Sequence, residues 1–294
     1  MNKKVSVIIP AKNESQSLAS TLEKLSSLSD IDEIIVVNDG SDDETPDIVR
    51  QHGAKLISHP YSIGNGGAIK SGARAASGEI FVFMDADGQH DPNDIPRLLE
   101  RLEQGSDMVI GARSRASQAG IGRSLANRFY NRLASYMTGQ PIHDLTSGFR
   151  AVRAEKFHEF IYLLPNGFSY PTTITMAFFR AGYIVDYIPI VAHARKGKSH
   201  ISPLKDGIRF LLIIFKIGTL YSPLKLFVPI SVVHFSVGLG YYAYTYLAQH
   251  RLSSVTVFLF TAGVTIFLIG LVSEQITQLM YRSQNIIPHN ADKP

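Results

Sequence analysis

The 294-residue sequence contains no cysteine and no tryptophan. Without cysteine there is no disulfide framework and no thiolate metal site, so a bound metal must rely on oxygen or imidazole ligands. Internal repeats at solenoid or propeller periods are missing, which excludes a repeat array. The N-terminus, with Lys3 and Lys4, is not followed by a long apolar core, so it does not read as a signal peptide. Charge is absent from two stretches: residues 226–250 and 252–273 hold no Lys, Arg, Asp or Glu. Each meets the length of about 20 apolar residues needed to span a membrane.

What charge there is divides unevenly. The overall net of +4 conceals −8 over residues 1–110, +11 over 111–225 and +1 over 226–294. An acidic first part and a basic second part suit a site that handles a cation together with anionic ligands. The basic residues run directly into the apolar stretch, which favours an anionic lipid over nucleic acid, and no nucleic-acid partner is expected. Mean hydropathy is +0.05, raised by the C-terminal stretches.

The first 110 residues alternate in pattern. Val5–Pro10, Glu33–Val37, Lys55–Ser58, Glu79–Met84 and Asp107–Ile110 read as strands. Ser15–Leu28, Thr45–His52, Gly66–Ala76 and Asp94–Gln104 read as helices, with Pro46 well placed in a first turn. This implies right-handed βαβ units and an α/β fold with a mostly parallel, Rossmann-like sheet. Beyond it, Ala119–Met137 and Ser169–Ala181 read as helices, and Ser147–Val152 and Tyr183–Ala192 as strands. Pro203–Tyr221 sets Lys205, Arg209 and Lys216 among large apolar residues, as in an amphipathic helix at a membrane interface.

The expected domains are a catalytic domain at 1–200, interfacial amphipathic helices at 201–223, a transmembrane hairpin at 224–282 (about 226–248 and 254–280) and a flexible tail at 283–294. Seven Lys/Arg between Arg195 and Lys225 face one acid, Asp206, before the first span, whereas the connecting loop carries only Arg251. The positive-inside rule then predicts a multi-pass protein of the cytoplasmic (inner) membrane with the catalytic domain and both termini in the cytoplasm. The hairpin also offers a face for a homo-oligomer.

Ligands of such sheets bind at the carboxyl ends of the strands. There, Phe83-Met84-Asp85-Ala86-Asp87-Gly88-Gln89-His90 delivers two carboxylates at i and i+2. Two acids so close repel unless a cation joins them. A hard divalent ion (Mg²⁺ or Mn²⁺) held by Asp85, Asp87 and Gln89 would leave positions for a diphosphate. Asp39, in Asn38-Asp39-Gly40-Ser41-Asp42-Asp43, could accept hydrogen bonds from a base or ribose; Asp42 and Asp43 suit helix capping. Pro10-Ala11-Lys12-Asn13-Glu14 lets a nucleoside approach the backbone, with Glu14 on the ribose, or simply starts a helix. Gly64-Asn65-Gly66-Gly67-Ala68 lacks full dinucleotide or P-loop spacing and reads better as close packing at a helix start. Arg113, Arg128 and Arg150 are candidate phosphate ligands, with Arg150 alternatively a structural partner of an acid and Asp144 either a base or an orienter of an arginine. Arg195-Lys196-Gly197-Lys198-Ser199-His200 is a basic loop suited to a diphosphate or a lipid phosphate.

Taken in order, PAKNE at 10–14, NDGSDD at 38–43, GNGGA at 64–68, DADGQH at 85–90, GAR at 111–113, DLTSGFR at 144–150 and RKGKSH at 195–200 resemble the family-2 glycosyltransferases with a GT-A fold. More narrowly they resemble the dolichyl- and undecaprenyl-phosphate sugar transferases, the dolichol-phosphate mannosyltransferases among them. The resemblance spans roughly residues 3–220. It implies metal binding by Asp85, Asp87 and Gln89, nucleoside contacts from Pro10, Ala11, Glu14 and Asp39, and phosphate contacts from Arg113, Arg128, Arg195 and Lys198. Lys12 stands where the family usually has an aromatic residue, and Asn38 where it usually has aspartate. The implied reaction moves a sugar from a nucleotide-sugar (UDP- or GDP-linked) to a polyprenyl phosphate, with inversion and a divalent metal. Two alternatives stand beside it: transfer to a lipid or glycan hydroxyl with Asp144 as base, and a non-catalytic membrane scaffold that binds nucleotide or lipid.

Overall fold

A computed structural model describes residues 3–113, 121–167, 169–192 and 222–284, with isolated positions between 212 and 219. It divides into two units at residues 213 and 214.

The first unit is built on one seven-stranded sheet, ordered β3-β2-β1-β4-β6-β5-β7. Its strands are β1 (Val5–Ala11), β2 (Glu33–Asn38), β3 (Lys55–Ser58), β4 (Ile80–Phe83), β5 (Met108–Arg113), β6 (Arg150–Arg153) and β7 (Val185–Ile190). The helices are α1 (Ser15–Ser26), α2 (Thr45–Gln51), α3 (Asn65–Ala75), α4 (Ile95–Glu103), α5 (Ile121–Thr138), α6 (Ala154–His158) and α7 (Tyr170–Arg180). β1 and β4 are buried throughout and read as apolar runs interrupted only by Ser6, as suits strands covered on both faces. α4 buries Ile95, Leu98, Leu99 and Leu102, one helical stripe at i, i+3, i+4 and i+7. α1 buries Leu18, Leu22 and Leu25 completely, each contributing roughly 1.5–3 kcal/mol.

The sheet is mostly parallel, as expected, with one reversal. β6 runs antiparallel to both β4 and β5, whereas β1–β2, β1–β4, β2–β3 and β5–β7 are parallel. β6 begins at Arg150 and not at Ser147, because the backbone amide of Ser147 and the side chain of Asp144 are tied into a turn ahead of it. This reversed strand shapes the site, because it feeds a loop back to the carboxyl ends of its parallel neighbours.

The second unit contains α8 (Pro223–Gln249) and α9 (Ser254–Gln284). Both are long and apolar enough to cross a membrane, with mean hydropathies of 1.5 and 2.5 over their spans and only 11% and 17% of those windows buried. Glycines let aromatic rings of the opposite helix come close. A Cβ on Gly263 would lie 2.9 Å from the Phe235 ring, and one on Gly270 would lie 2.6 Å from Cβ of Phe227. Ser231 Oγ donates to the Gly263 carbonyl at 2.8 Å, so the pair interlocks by small-residue packing and one polar contact. The expected interfacial helices at 201–223 lie largely outside the described residues, as do Arg195, Lys198 and most of the expected tail.

Candidate functional site

The candidate site residues lie at or just past the carboxyl ends of β1, β2, β4 and β5. Ala11 and Asn38 are register partners, and so are Asn38 and Ser58, so the loops after β1, β2 and β3 leave the sheet side by side. The first pair is locked by hydrogen bonds in both directions: the Asn13 amide donates to Ser41 Oγ at 3.0 Å, the Glu14 amide to Thr45 Oγ1 at 3.0 Å and the Asp42 amide to Asn13 Oδ1 at 2.9 Å. Asn13 takes φ 56°, a left-handed conformation that asparagine tolerates. Asp43 receives the Ser15 and Thr45 amides, the first of α1 and of α2, while the N-cap positions themselves are held by Glu14 and Glu44.

Asp39 is 4% exposed and its carboxylate is fully engaged. Oδ1 faces His59 Nδ1 at 2.8 Å and accepts from the Ile63 amide at 2.8 Å. Oδ2 accepts from Ser62 Oγ at 2.7 Å and the Gly64 amide at 2.9 Å. Burial alone would push this carboxyl up, but these donors outweigh it and hold it below the usual range. Asp39 thus organises the loop after β3.

The Gly64–Ala68 run closes on the protein itself. The Gly66 and Gly67 amides donate to the carbonyls of Gly167 and Asn166, and a Cβ on Gly66 would lie 2.1 Å from the Pro165 carbonyl. Its first-turn donors are spent on this seam, which agrees with the packing role read from the sequence.

Asp85 and Asp87 follow β4. Ser17 Oγ of α1 donates to the Ala86 carbonyl at 2.7 Å and fixes the turn between them. Asp87 is 9% exposed and its Oδ1 receives the Gln89 amide at 3.1 Å. Continuing the β4–β6 register sets Asp85 opposite Gly148, and a Cβ on Gly148 would lie only 2.7 Å from Asp85 Oδ2. The antiparallel β6 thereby brings the 144–149 loop against the strand-end acids.

On the other side of that loop lies Arg113, the last residue of β5. Its Nε donates to Asp144 Oδ2 at 2.8 Å, its Nη2 to Asp144 Oδ1 at 2.9 Å and to Thr146 Oγ1 at 2.6 Å. Asp144 also receives the amides of Thr146 and Ser147, both at 3.1 Å. Burial would raise the Asp144 carboxyl; the Arg113 fork outweighs it and keeps it below the carboxylate range. Arg113 in turn feels Asp144, Asp85 and Asp87, which together overcome its burial and push its guanidinium up. A carboxylate so engaged and so acidic is a poor proton acceptor.

His90 is 6% exposed, stacks on Phe149 with centroids 5.1 Å apart, and leaves Nδ1 without a hydrogen-bond partner. Burial pushes its imidazole down to about 4, so it is neutral near pH 7 beside Asp87 and Arg113.

Pro10, Ala11, Glu14 and Asp39 therefore sit at the β1–β2 ends, and Asp85, Asp87, Gln89, Arg113 and Asp144 at the β4–β6–β5 ends. Arg128 is exposed on α5. Arg150 must be corrected: it is completely buried, donating to the carbonyls of Pro171 and Ser147 and to Thr175 Oγ1, so it is a core residue and not a phosphate ligand. Thr146, Ser147 and His90 were not singled out from the sequence; the Asp144-Leu145-Thr146-Ser147 run carries the signal of an aspartate-led turn.

Residues 6–161 match the glycosyl transferase family 2 model, and residues 222–279 match the GtrB C-terminal hairpin. The chain is 30% identical over 205 residues to a dolichyl-phosphate hexose transferase of Haloferax volcanii, covering 69% of this chain and 89% of that one. It is 34% identical over 189 residues to an undecaprenyl-phosphate 4-deoxy-4-formamido-L-arabinose transferase of Photorhabdus laumondii, 58% of each chain. The fold is shared with glucosyl-3-phosphoglycerate synthase of Mycobacterium tuberculosis, solved with Mn²⁺, uridine diphosphate and phosphoglyceric acid, at TM-score 0.61 and 23% identity over 74% of this chain and 78% of that one. With its strand-end carboxylates, its anchored arginine and its apolar hairpin, the chain belongs to glycosyl transferase family 2 and is a glycosyltransferase related to the polyprenyl-phosphate sugar transferases.

Proposed function

We propose that this enzyme transfers a sugar from a UDP- or GDP-linked donor to a polyprenyl phosphate, with inversion at the anomeric carbon. One observation carries the reading: the Arg113–Asp144 fork at the end of β5 and Asp85 and Asp87 past the end of β4 flank the start of β6 and act electrostatically on one another, so anion-binding and cation-binding groups share one rim.

Among the described residues no three His, Asp or Glu side chains cluster as a closed metal cage. The side chains of Asp85, Asp87 and Gln89, which follow one another past β4, offer oxygen donors only, and that donor chemistry fits a hard divalent cation. Asp85, Asp87 and Gln89 would hold it, and when bound it neutralises charge on the departing diphosphate. Mn²⁺ and uridine diphosphate in the mycobacterial complex support this choice.

Arg113, held in place by Asp144 and Thr146, offers its remaining donor capacity to phosphate oxygens. Pro10, Ala11 and Glu14 receive the nucleoside, and Arg128, Arg195 and Lys198 serve the lipid-phosphate side. An acceptor phosphate oxygen forms the new bond to the anomeric carbon as the bond from that carbon to the diphosphate oxygen breaks, and the nucleoside diphosphate leaves with the electron pair. A phosphate monoester, with second pKa about 6, is largely dianionic at neutral pH and needs no base. The engaged state of Asp144 favours this acceptor over a hydroxyl. The hairpin would sit in the cytoplasmic membrane with the catalytic unit on the cytoplasmic side, as the basic flank before Pro223 suggests.

The test offers the purified full chain a set of nucleotide-sugars with Mg²⁺ or Mn²⁺ and either undecaprenyl phosphate or diacylglycerol, with products weighed by mass spectrometry. A glycosyl-phosphoryl-polyprenol is expected. Product on diacylglycerol alone would overturn the acceptor assignment.

A further inference from the structure

Asp39 is committed to the loop after β3, so the nucleobase needs another partner at this end of the sheet. The four donors around Asp39 match the number of lone-pair sites a carboxylate offers. Their effect is to immobilise residues 59–64. His59 also bridges to Ser71 Oγ of α3 at 2.9 Å. The main chain of Tyr61 and Ser62 lies against Gly40, where an added Cβ would meet it at 2.9–3.2 Å. Ile63 seals against Gly67. At the centre of this pinned segment, after Pro60, the Tyr61 side chain is 70% exposed.

Placement gives that ring its meaning. The loops after β1, β2 and β3, residues 12–14, 39–44 and 59–64, contain one Phe or Tyr between them, and it is Tyr61. Asn13 is bonded to Ser41, next to Gly40, so the Lys12–Glu14 segment and Tyr61 border the same Gly40-Ser41 turn. A rigid backbone carrying an exposed flat ring beside a nucleoside site is suited to base stacking, which every nucleobase can satisfy through its π-face.

We propose that Tyr61 is the stacking platform for the donor's nucleobase, a binding residue that holds the nucleoside in place without hydrogen-bonding it. The inference rests on the reading of this site as a nucleotide-sugar site.

The absence of tryptophan makes the test clean, because Tyr61→Trp introduces the sole indole of the protein. Uridine and guanosine diphosphates are titrated with Mg²⁺ into the full chain by calorimetry, and into Tyr61→Trp by fluorescence. Stacking predicts quenched indole emission. It also predicts a Kd for Tyr61→Ala raised about tenfold, within the range that loss of one base–aromatic stack produces, and Tyr61→Phe within about twofold of wild type. Pyrophosphate, which has no base, should bind wild type and Tyr61→Ala alike. Equal nucleotide affinity in wild type and Tyr61→Ala, with unquenched emission in Tyr61→Trp, would overturn the stacking role while leaving the donor site intact. Failure of wild type to bind either nucleotide would remove the donor-site reading and this inference with it.

Discussion

Replacing Asp144 by asparagine decides whether this carboxylate anchors Arg113 or accepts a proton. The Asp144 side chain is 4% exposed and that of Arg113 26%. Asparagine keeps the shape but removes the charge facing the guanidinium and turns an NH₂ group toward one of its donors. Breaking one partner of a buried pair costs about 3–5 kcal/mol; partial exposure of Arg113 screens some of this, leaving about 2–3 kcal/mol. A unit of this size shifts by about 2–4 °C per kcal/mol, so calorimetry of the full chain in detergent should show the catalytic unit melting about 4–12 °C lower at pH 7. Arg113→Met combined with Asp144→Leu should cost less than the two single changes together, with a coupling above about 1 kcal/mol. Transfer activity should fall in Asp144→Asn while the acidic limb of the pH–rate profile stays where it was. Unchanged melting together with a lost acidic limb would refute the anchoring argument and make Asp144 a base.

Three further outcomes follow from the same geometry. Gly148→Ala should displace the Asp85 carboxylate, which lies 2.7 Å from the new Cβ, and lower kcat at least about tenfold by the precision catalytic groups require, with melting nearly unchanged. Arg150→Ala empties a fully buried position and orphans its carbonyl acceptors, so chemical denaturation should show a loss of about 3–5 kcal/mol, with nucleotide affinity measured by calorimetry unaffected. In acid, two limbs are expected in a melting curve against pH. His90, lowered from 6.5 to about 4, binds its proton first in the unfolded chain, so stability declines as pH falls through that window. Asp39 and Asp144, held below the carboxylate range, contribute fully above the unfolded value of about 3.9 and lose that contribution as pH drops through their lower folded values. Asp144→Asn should chiefly flatten the second limb, leaving the Asp39 part of it.

The parallel half of the sheet was legible because its central strands, buried on both faces, read as apolar runs and alternate with helical segments. Lys55–Ser58 falls where expected, and β1, β2 and β4 agree to within a residue or two. The reversal of β6 was not legible, since a short run such as Arg150–Arg153 carries no sign of direction. α6, five residues long, falls below the length at which periodicity can be read. Asp85, Asp87 and Arg113 stood out through chemistry at strand ends. The occupation of Asp39 did not, because its partners His59, Ser62, Ile63 and Gly64 lie 20 to 25 residues further along the chain. The burial of Arg150 was equally hidden: a lone cation in a sequence looks the same whether it meets a phosphate or the carbonyl of Pro171.

The most direct test measures glycosyl-phosphoryl-polyprenol formation by the purified full chain across a titration of Mg²⁺ and Mn²⁺, for wild type and for Asp87→Ala, alongside a circular dichroism spectrum of each. The account predicts wild-type product that rises with metal and vanishes with a chelator, and no product from a folded Asp87→Ala at any metal concentration. Substantial product from Asp87→Ala in the presence of a chelator would contradict it.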